Sequence, residues 1–430
     1  MNSHKNNRIR IDLFRLHDPI SDNSLRKCIM ASGENLSKIL QNLLKNVDKT
    51  KFIKNLMYKY NISYSSAERL AYFKKDWFPL YYIKEIILIT NNSSIRFRIQ
   101  DEIEFLKSNQ PPQRIYKAVK FLNPEICKIA GAHAADGTLA KGNLLRITDG
   151  HESNIDVLQK WIYYTFLINT KKVRIKRSTE EWGIQLKSKV IGRYLNKIFG
   201  FPYGSKQYSV REPKIIRQSS LELRKAFALG AFTFESGVGI KHEVELCVSS
   251  KSFRDDLSQI LTLSDVTHTT MKKSSGGYWR LWSGRLNIEE SRKWMYFFEH
   301  GTKKWSLLSY FVDGYKRKGF CIKTAIDVLD KTYPRKSPSK ITLKDVLEVI
   351  IEAKEVHRYE LANILCKKCN ITTYGGKWAH SLRPYLYILK SCNIIFIEKR
   401  KFGKKKSWGS IVREVYIFNE NFRSWLLPYD

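Results

Sequence analysis

Two segments of the chain, lying 99 residues apart, share a pattern of small residues that ends in an acid. The first is IAGAHAADGTL, from Ile129 to Leu139, and the second is ALGAFTFESGV, from Ala228 to Val238. Glycine and alanine recur three and four residues apart, so they line one helix face, and two such faces can approach until their backbones nearly touch. The pattern therefore predicts two equivalent helices packed about a pseudo-twofold axis.

Under this pairing, Asp136 and Glu235 end the equivalent helices and meet near the axis. Acids are 41 of the 430 residues, so acids at both matched positions would be rare by chance. Two adjacent carboxylates repel each other, and the carboxyl ends of helices add negative partial charge. The pair therefore predicts a divalent cation, and oxygen ligands with open positions favour Mg²⁺, with Mn²⁺ as a substitute.

The charge of the chain indicates a polyanionic partner. Lysine and arginine number 76 against 41 acids, which gives a net charge of +35. Hydrophobic residues make up 43% and aromatic residues 13%, which excludes a disordered basic tail. No apolar run has the length of a membrane span, and the start of the sequence is polar, so we expect a cytoplasmic, nucleoid-associated protein without membrane contact.

The residues that carry these features resemble the LAGLIDADG homing endonucleases in their single-chain, two-repeat form. The resemblance covers roughly Asn123 to Lys318. The segments FLNPEICKIAGAHAADGTL and RKAFALGAFTFESGV are similar to the two family helices, and FGFPYGSKQYSVREPKII and FEHGTKKWSLL to the segments that close the repeats. The resemblance implies an α+β fold of two pseudo-symmetric αββαββα repeats, at residues 111–220 and 221–333, whose sheets form a saddle over double-stranded DNA.

The resemblance also implies an activity and a set of catalytic residues. The family cleaves both DNA strands at specific sequences by metal-dependent phosphodiester hydrolysis. Asp136 and Glu235 fall on its metal-binding acids, and Lys206, in GSKQ, falls on the basic residue of the first active centre. Lys303 or Lys304 matches that position in the second repeat less closely. Since one chain holds both repeats, we expect a monomer.

Strands of the middle region alternate apolar and polar residues, as in a sheet with one packed face and one exposed face. The exposed face would reach bases and phosphates. Such alternation is typical of any half-exposed sheet, so base contacts of single residues stay open. The residues predicted to face DNA are Arg146, Arg174, Lys176, Gln185, Lys187 and Arg280.

The two motifs depart from the family pattern at several positions. Ala134 and Thr233 stand where the consensus has an earlier aspartate, and Ser236 stands where it usually has glycine. His133 enters a normally apolar position and is interpreted as a residue of the helix interface. Both acids are retained, which favours the endonuclease, whereas the imperfect second motif and the two appended domains favour a catalytically silent transcription regulator or architectural protein. An RNA maturase that uses the same basic saddle is the third alternative.

Residues 1–110 are predicted to form a helical, helix-turn-helix-like domain. Helical periodicity is interrupted at Asn61 to Ser63, and Ser65 or Ser66 is the expected cap of the next helix. The turn-forming residues Ser108 to Pro112 are predicted to be a linker to the middle region.

Residues 339–430 are predicted to form a winged helix, because three amphipathic helices precede a hairpin with a basic loop. Cys366 and Cys369 have metal-like spacing, and His380 and Cys392 would complete a zinc site, but ordinary packing is the preferred interpretation. The loop residues predicted to contact phosphates are Lys401, Lys404, Lys405 and Lys406.

The net charge predicts that affinity for duplex DNA falls steeply with salt. Each neutralised phosphate releases counterions, so log K should fall by about 0.9 per contact for each unit of log salt concentration. Fluorescence anisotropy over a salt series measures the slope, and light scattering measures the stoichiometry. Affinity that does not change with salt, or a protein dimer on one duplex, would contradict the prediction.

Overall fold

The structure is a computed structural model of the 430-residue chain. The residues that it describes are 8–19, 21–22, 27–45, 47–73, 76–90, 93–176, 180–239, 243–272, 277–313, 341–369, 382–391, 394–404 and 410–420. Contacts group them into two compact units. The first comprises described residues within Met1–Ser236, Leu246–Leu281 and Phe297–Glu299, and the second those within Gly237–Glu245, Trp282–Tyr296 and His300–Asp430. Among these residues, no helix is long and apolar enough to cross a membrane.

The N-terminal part combines five helices with a four-stranded antiparallel sheet of strand order β2-β1-β3-β4. Its elements are β1 (Ile29–Ser32), α1 (Leu36–Leu44), α2 (Lys49–Tyr60), α3 (Tyr64–Ala71), β2 (Phe78–Pro79), α4 (Leu80–Thr90), α5 (Ser93–Asp101), β3 (Phe105–Ser108) and β4 (Ile115–Lys117).

The purely helical prediction for this part is therefore wrong, because strands of two to four residues leave no alternating pattern to detect. The predicted linker, Ser108 to Pro112, instead lies in the β3-β4 hairpin, where Phe105 pairs with Lys117. The cap of α3 is Ser63, whose Oγ accepts a hydrogen bond from the backbone N–H of Ser66.

Two runs of elements follow, and they share one order. The first run is α6 (Pro124–Asp136), β5 (Gly137–Ala140), β6 (Leu144–Asp149), α7 (Glu152–Phe166), β7 (Lys172–Lys176), β8 (Glu180–Lys187) and α8 (Lys189–Arg193), which continues into a π-helical turn, Tyr194–Ile198. After the short α9 (Lys214–Arg217), the second run is α10 (Leu221–Glu235), β9 (Gly237–Gly239), β10 (Glu243–Val248), α11 (Lys251–Leu263), β11 (Thr269–Lys272), β12 (Trp279–Trp282), α12 (Ile288–Met295) and α13 (Lys303–Asp313).

The two sheets of these runs also share one topology. The first has strand order β5-β6-β8-β7, and the second has order β9-β10-β12-β11, so each strand has its counterpart at the same place. The mixed α/β composition with antiparallel sheets agrees with the predicted α+β class.

Helices α6 and α10 pack with their backbones in contact. A Cβ atom added at Gly131 would lie 2.0 Å from the carbonyl oxygen of Phe227, and one added at Gly230 would lie 2.1 Å from that of Lys128. A shift of 99 residues converts the first contact into the second, so the two contacts are equivalent. Only glycine allows this approach, as the small-residue pattern predicted.

The C-terminal part consists of α14 (Leu343–Ala353), β13 (Glu355–His357), α15 (Arg358–Lys368), α16 (Arg383–Ser391), β14 (Ile395–Lys404) and β15 (Ser410–Phe418). The three predicted helices and the hairpin are thus present. Strand β13 was not foreseen, because it has three residues; it pairs with β15 to give a sheet of order β13-β15-β14. A capping box at Thr342 and Asp345 begins α14.

The close helix contact predicts a large loss of stability from a single methyl group. Gly131→Ala or Gly230→Ala would force α6 and α10 apart, and each should lower the free energy of unfolding by about 2–3 kcal/mol or more. Urea unfolding measures the loss. Gly150→Ala is the matched control, since a Cβ there meets nothing within 4 Å, and it should change stability by less than about 0.5 kcal/mol. Equal stability of all three variants would contradict the close approach.

Candidate functional site

The α6–α10 contact places two acids at equivalent helix ends. Asp136 is the last residue of α6 and is exposed, and Glu235 is the last residue of α10 and is partly buried. Both helices end the same way, because Gly137 (φ −82°, ψ 150°) and Ser236 (φ −81°, ψ 162°) continue in extended conformation into the next strand. Neither position requires a left-handed conformation, so serine replaces glycine without backbone strain.

Lys206, the predicted basic residue of the first active centre, lies beside these two helix ends, and its catalytic role stays a prediction. Its Nζ donates hydrogen bonds to the carbonyl oxygens of Ala134 (2.6 Å) and Ala135 (3.0 Å) in the last turn of α6. Burial lowers the pKa of Lys206 to about 8, although the nearby carboxylates of Asp136 and Glu235 act to raise it. One ammonium group is therefore close enough to interact with both acids and with the negative end of the α6 dipole.

A loop that spans the two runs holds Lys206 in place. Gly204, at φ +89°, pairs with Leu139 of β5 in an isolated bridge, with a backbone hydrogen bond of 2.8 Å. The side chain of Gln207 donates to Ser249 Oγ (3.0 Å), and Ser250 Oγ donates to the carbonyl of Val210 (2.6 Å). The loop is thus tied to β5 on one side and to the start of α11 on the other.

His133 lies two residues, or about 200° around α6, from Gly131, which touches α10, so it lies outside the helix interface where it was expected. Its side chain is fully buried, and its ring lies 4.8 Å from that of Phe201. Burial lowers the pKa of His133 to about 3, and the positive charge of Lys206 lowers it further. The ring is therefore neutral at physiological pH. A Cβ at Gly137 would lie 2.2 Å from His133 Nδ1, so the histidine and the glycine depend on each other.

The donors at this centre fit a hard divalent cation. Carboxylate oxygens are what Mg²⁺ prefers, and because Mg²⁺ keeps several waters, one or two carboxylates suffice. The pair Asp136 and Glu235 would supply them. Within the described part of the chain, no group of three or more His, Cys, Asp or Glu side chains is placed to share a metal ion.

The first sheet presents a polar face. In β6, Arg146 and Thr148 alternate with Leu145 and Ile147, which are buried. Arg146 pairs in register with Thr138 of β5 and with Gln185 of β8, so the three side chains lie side by side on the same face. Arg146 Nε is buried and has no hydrogen-bond partner among the described residues.

The predicted placement of Arg174 on this face is wrong, and the side chain of Lys176 lies outside the described part of the chain. Arg174 pairs with Trp182, and Trp182 pairs with Asp149, which is buried on the opposite side of the sheet. Since side chains opposite each other in register share a face, Arg174 lies on the side of α7, as does Lys172, two residues before it. Apolar and polar residues do alternate along β7, but Arg174 lies on the packed face of the sheet and not on the exposed face.

Two tryptophans on the packed side of the sheets have lysine or arginine side chains over their rings, and the sequence did not predict these contacts. Lys172 Nζ lies 5.7 Å from the ring centroid of Trp182 and donates to Glu152 and Asp156 of α7. Trp279, at the corresponding strand of the second sheet, has Lys251, Arg254 and Lys272 within 5.7 Å of its ring centroid. Nothing in the residues beside these lysines distinguishes them from DNA ligands, because the contacts with tryptophan depend on how the strands and helices pack.

The second sheet carries acids as well as arginine. In β10, Glu243 and Glu245 alternate with the buried Val244 and Leu246. In β12, Arg280 precedes the buried Leu281, and its Nη1 lies 4.0 Å from Met271 Sδ of β11. The polar sides of the two sheets therefore differ in charge.

The remaining predicted residues lie away from these two faces or outside the described residues. Lys303 and Lys304 are the first two residues of α13, in the other compact unit from the acid pair, so their catalytic role stays a prediction. Lys401 and Lys404 belong to β14, while Lys405 and Lys406 lie outside the described residues. Of the zinc alternative, Cys366 and Cys369 lie partly buried at the end of α15, and His380 and Cys392 are outside the described residues.

No protein-family profile and no curated protein matches the sequence. Solved structures do match part of it. The homing endonuclease I-DmoI in complex with DNA and Mn is 17% identical, covering 40% of this chain and 95% of its own, with a TM-score of 0.31. The homing endonuclease I-WcaI bound to its DNA recognition sequence is 10% identical, covering 44% of this chain and 87% of its own, with a TM-score of 0.32. The N-terminal LAGLIDADG domain of DUF199/WhiA is also 10% identical, covering 40% of this chain and 80% of its own, with a TM-score of 0.28.

The lowered pKa of Lys206 predicts a specific pH dependence of stability. Between about pH 8 and 10.5 the folded chain has released a proton that the unfolded chain keeps, so stability should rise with pH through this window. From pH 7.5 to 9.5, wild type should gain about 2 kcal/mol relative to Lys206→Met. Urea unfolding at both pH values measures the gain. Variant Lys214→Met, which changes an exposed lysine, is the control and should follow wild type.

Proposed function

We propose that the chain is a LAGLIDADG-type, metal-dependent endonuclease that cuts both strands of specific duplex DNA, built on two pseudo-symmetric repeats. The observation that carries the proposal is that Asp136 and Glu235, at equivalent helix ends, both interact with the ammonium group of Lys206. A stabilising scaffold has no need of two acids around a partly buried lysine at the ends of two closely packed helices. A phosphodiester hydrolase needs oxygen ligands for a cation and a positive group beside them.

Each residue of the centre has a role in this proposal. Asp136 and Glu235 would hold Mg²⁺, or Mn²⁺ in its place. When bound, the ion would polarise a phosphoryl oxygen and lower the pKa of a coordinated water. Lys206, with a pKa of about 8, is mostly protonated at neutral pH and would stabilise negative charge that develops on the phosphate. The neutral, buried His133 would have a packing role only and would transfer no proton.

The polar sides of the sheets supply the proposed DNA contacts. Arg146 and Gln185, adjacent in register, have the donor patterns that read guanine and adenine edges in the major groove, and Lys187 would contact phosphate. In the second sheet, Arg280 would contact guanine and the acids of β10 would accept from cytosine N4. The two half-sites would therefore differ in sequence.

The C-terminal part is proposed to be a winged helix that lengthens the DNA contact. The order α14, β13, α15, α16, β14, β15 supports this, because three helices and a three-stranded sheet ending in a hairpin are the parts of that domain. The basic residues of the β14-β15 hairpin would contact phosphates, as predicted.

The proposed acid pair predicts that charge removal separates cutting from binding. Asp136→Asn and Glu235→Gln should each abolish double-strand cleavage in Mg²⁺ and Mn²⁺, while both variants still bind DNA in Ca²⁺. Lys206→Ala should slow cleavage by about 10²-fold, in line with the loss of one electrostatic stabiliser. The substrate is a duplex selected from a random library by wild-type protein, and gel analysis of cleavage products gives the rates.

Glu222→Gln is the matched control, because this acid lies exposed in the first turn of α10, at the opposite end from Glu235. It should cut like wild type. Tight binding by wild type without cleavage under either metal would refute the endonuclease and favour the regulator. If both acid variants cleave at the wild-type rate, the assignment of Asp136 and Glu235 as the catalytic acids is wrong.

Deleting residues 340–430 should weaken DNA binding and shorten the protected region, because the proposed winged helix supplies phosphate contacts outside the repeats. Cleavage at saturating protein should persist, since the acid pair is intact. Nuclease protection and a cleavage time course test both statements, and an unchanged footprint would assign the C-terminal part to protein contacts.

A further inference from the structure

Helices α2 and α3 are joined by a turn of the kind found in helix-turn-helix motifs. Asn61 ends α2 in the left-handed conformation (φ 47°), Ile62 is buried, and Ser63 caps α3. A three-residue turn with a left-handed position is the connection that this motif uses. Two buried residues, Ala67 and Leu70, fix the inner side of α3.

The outer side of the two helices is aromatic and basic. Tyr58, Tyr64 and Tyr72 are 94%, 54% and 49% exposed. The Lys49 ammonium lies 4.8 Å from the ring centroid of Tyr72, so the start of α2 lies beside the end of α3. Lysines and arginine outnumber acids on these helices and the loop before them: Lys45, Lys49, Lys51, Lys54, Lys59 and Arg69 against Asp48 and Glu68.

We propose that α3 is the recognition helix of a second duplex-DNA contact, made by the exposed residues Lys54 and Tyr58 of α2 and Tyr64, Ser65 and Arg69 of α3, hereafter the α2–α3 face. The positive charge selects a polyanion, and the chain as a whole carries +35. A capped helix of eight residues with an exposed N-terminal half fits the major groove, where hydroxyl groups and guanidinium reach base edges and phosphates. The proposal shares its partner with the proposed function but uses no residue of the cleavage centre.

The attachment of this domain determines where the contact falls. Arg193 of α8, which closes the first run, donates to Asp18 at 2.6 Å, and the buried Asp22 contacts Lys189 at 2.5 Å. The ring of His17 in the same segment lies 6.3 Å from that of Tyr60, the last residue of α2. Because ion pairs and packed rings connect α8 to the end of α2 through residues 17–22, the two helices are held at a fixed place beside the first run, with the α2–α3 face exposed. The protected DNA should therefore extend on one side, beyond the half-site of the first sheet.

The test uses full-length protein bound in Ca²⁺ to the duplex selected by wild type. The double variant Lys54→Ala/Arg69→Ala and the single variant Tyr58→Ala change only exposed side chains. The double variant should bind about ten-fold or more weakly, lose about two from the magnitude of the salt slope, and lose protection on one side only. Tyr58→Ala should lose the same part of the footprint with little change of slope, because tyrosine carries no charge.

The control is Lys38→Ala/Lys117→Ala, which removes two exposed lysines of α1 and β4 and should keep the wild-type footprint. Equal losses by control and test variants would assign the effect to net charge and overturn the proposal. An unchanged footprint with altered self-association would make the face a protein contact and also overturn it. Cleavage at saturating protein should persist in every one of these variants. The acid variants test the endonuclease proposal and the footprint tests the α2–α3 face, so one proposal can fail without the other.

Discussion

The contact between α6 and α10 determines the rest of the centre. Gly131 and Gly230 let each helix place its backbone against a carbonyl of the other, and a side chain at either position would separate them. Because each helix ends five residues after its glycine, the same contact that fixes the crossing point also fixes where the two acids lie. The tight packing of small residues is thus a condition for the acid pair.

The electrostatics of this point are balanced by one lysine. Helix ends and carboxylates accumulate negative charge, and Lys206 brings an ammonium group to the same place through a loop tied to β5 and to α11. Burial opposes its charge and the acids favour it, so its pKa lies near the range where proteins use lysine in chemistry. A cation bound by both acids would repel the ammonium group of Lys206, and cation binding would therefore be coupled to the protonation of Lys206.

The two runs of elements are alike in topology and unlike in surface. Strand order and helix contacts repeat, and even the tryptophans that gather cations on the packed side recur in β8 and β12. The polar sides do not repeat, since Arg146 and Gln185 mark one sheet and Glu243 and Glu245 the other. A single chain can diverge in this way because each half is encoded separately, whereas a homodimer must present the same face twice.

The sequence by itself determined the features that depend on local periodicity and matched spacing. The helix pair, its terminal acids and the C-terminal helices follow from small residues three and four apart and from amphipathic stripes, which are properties of a few adjacent turns. Only the tertiary structure decided which face of β7 carries Arg174, because the phase of an alternating strand depends on its register with β8. It also decided that strands as short as β1 to β4 form a sheet, and that the Lys206 ammonium binds the carbonyls of α6, since these contacts join residues far apart in the chain.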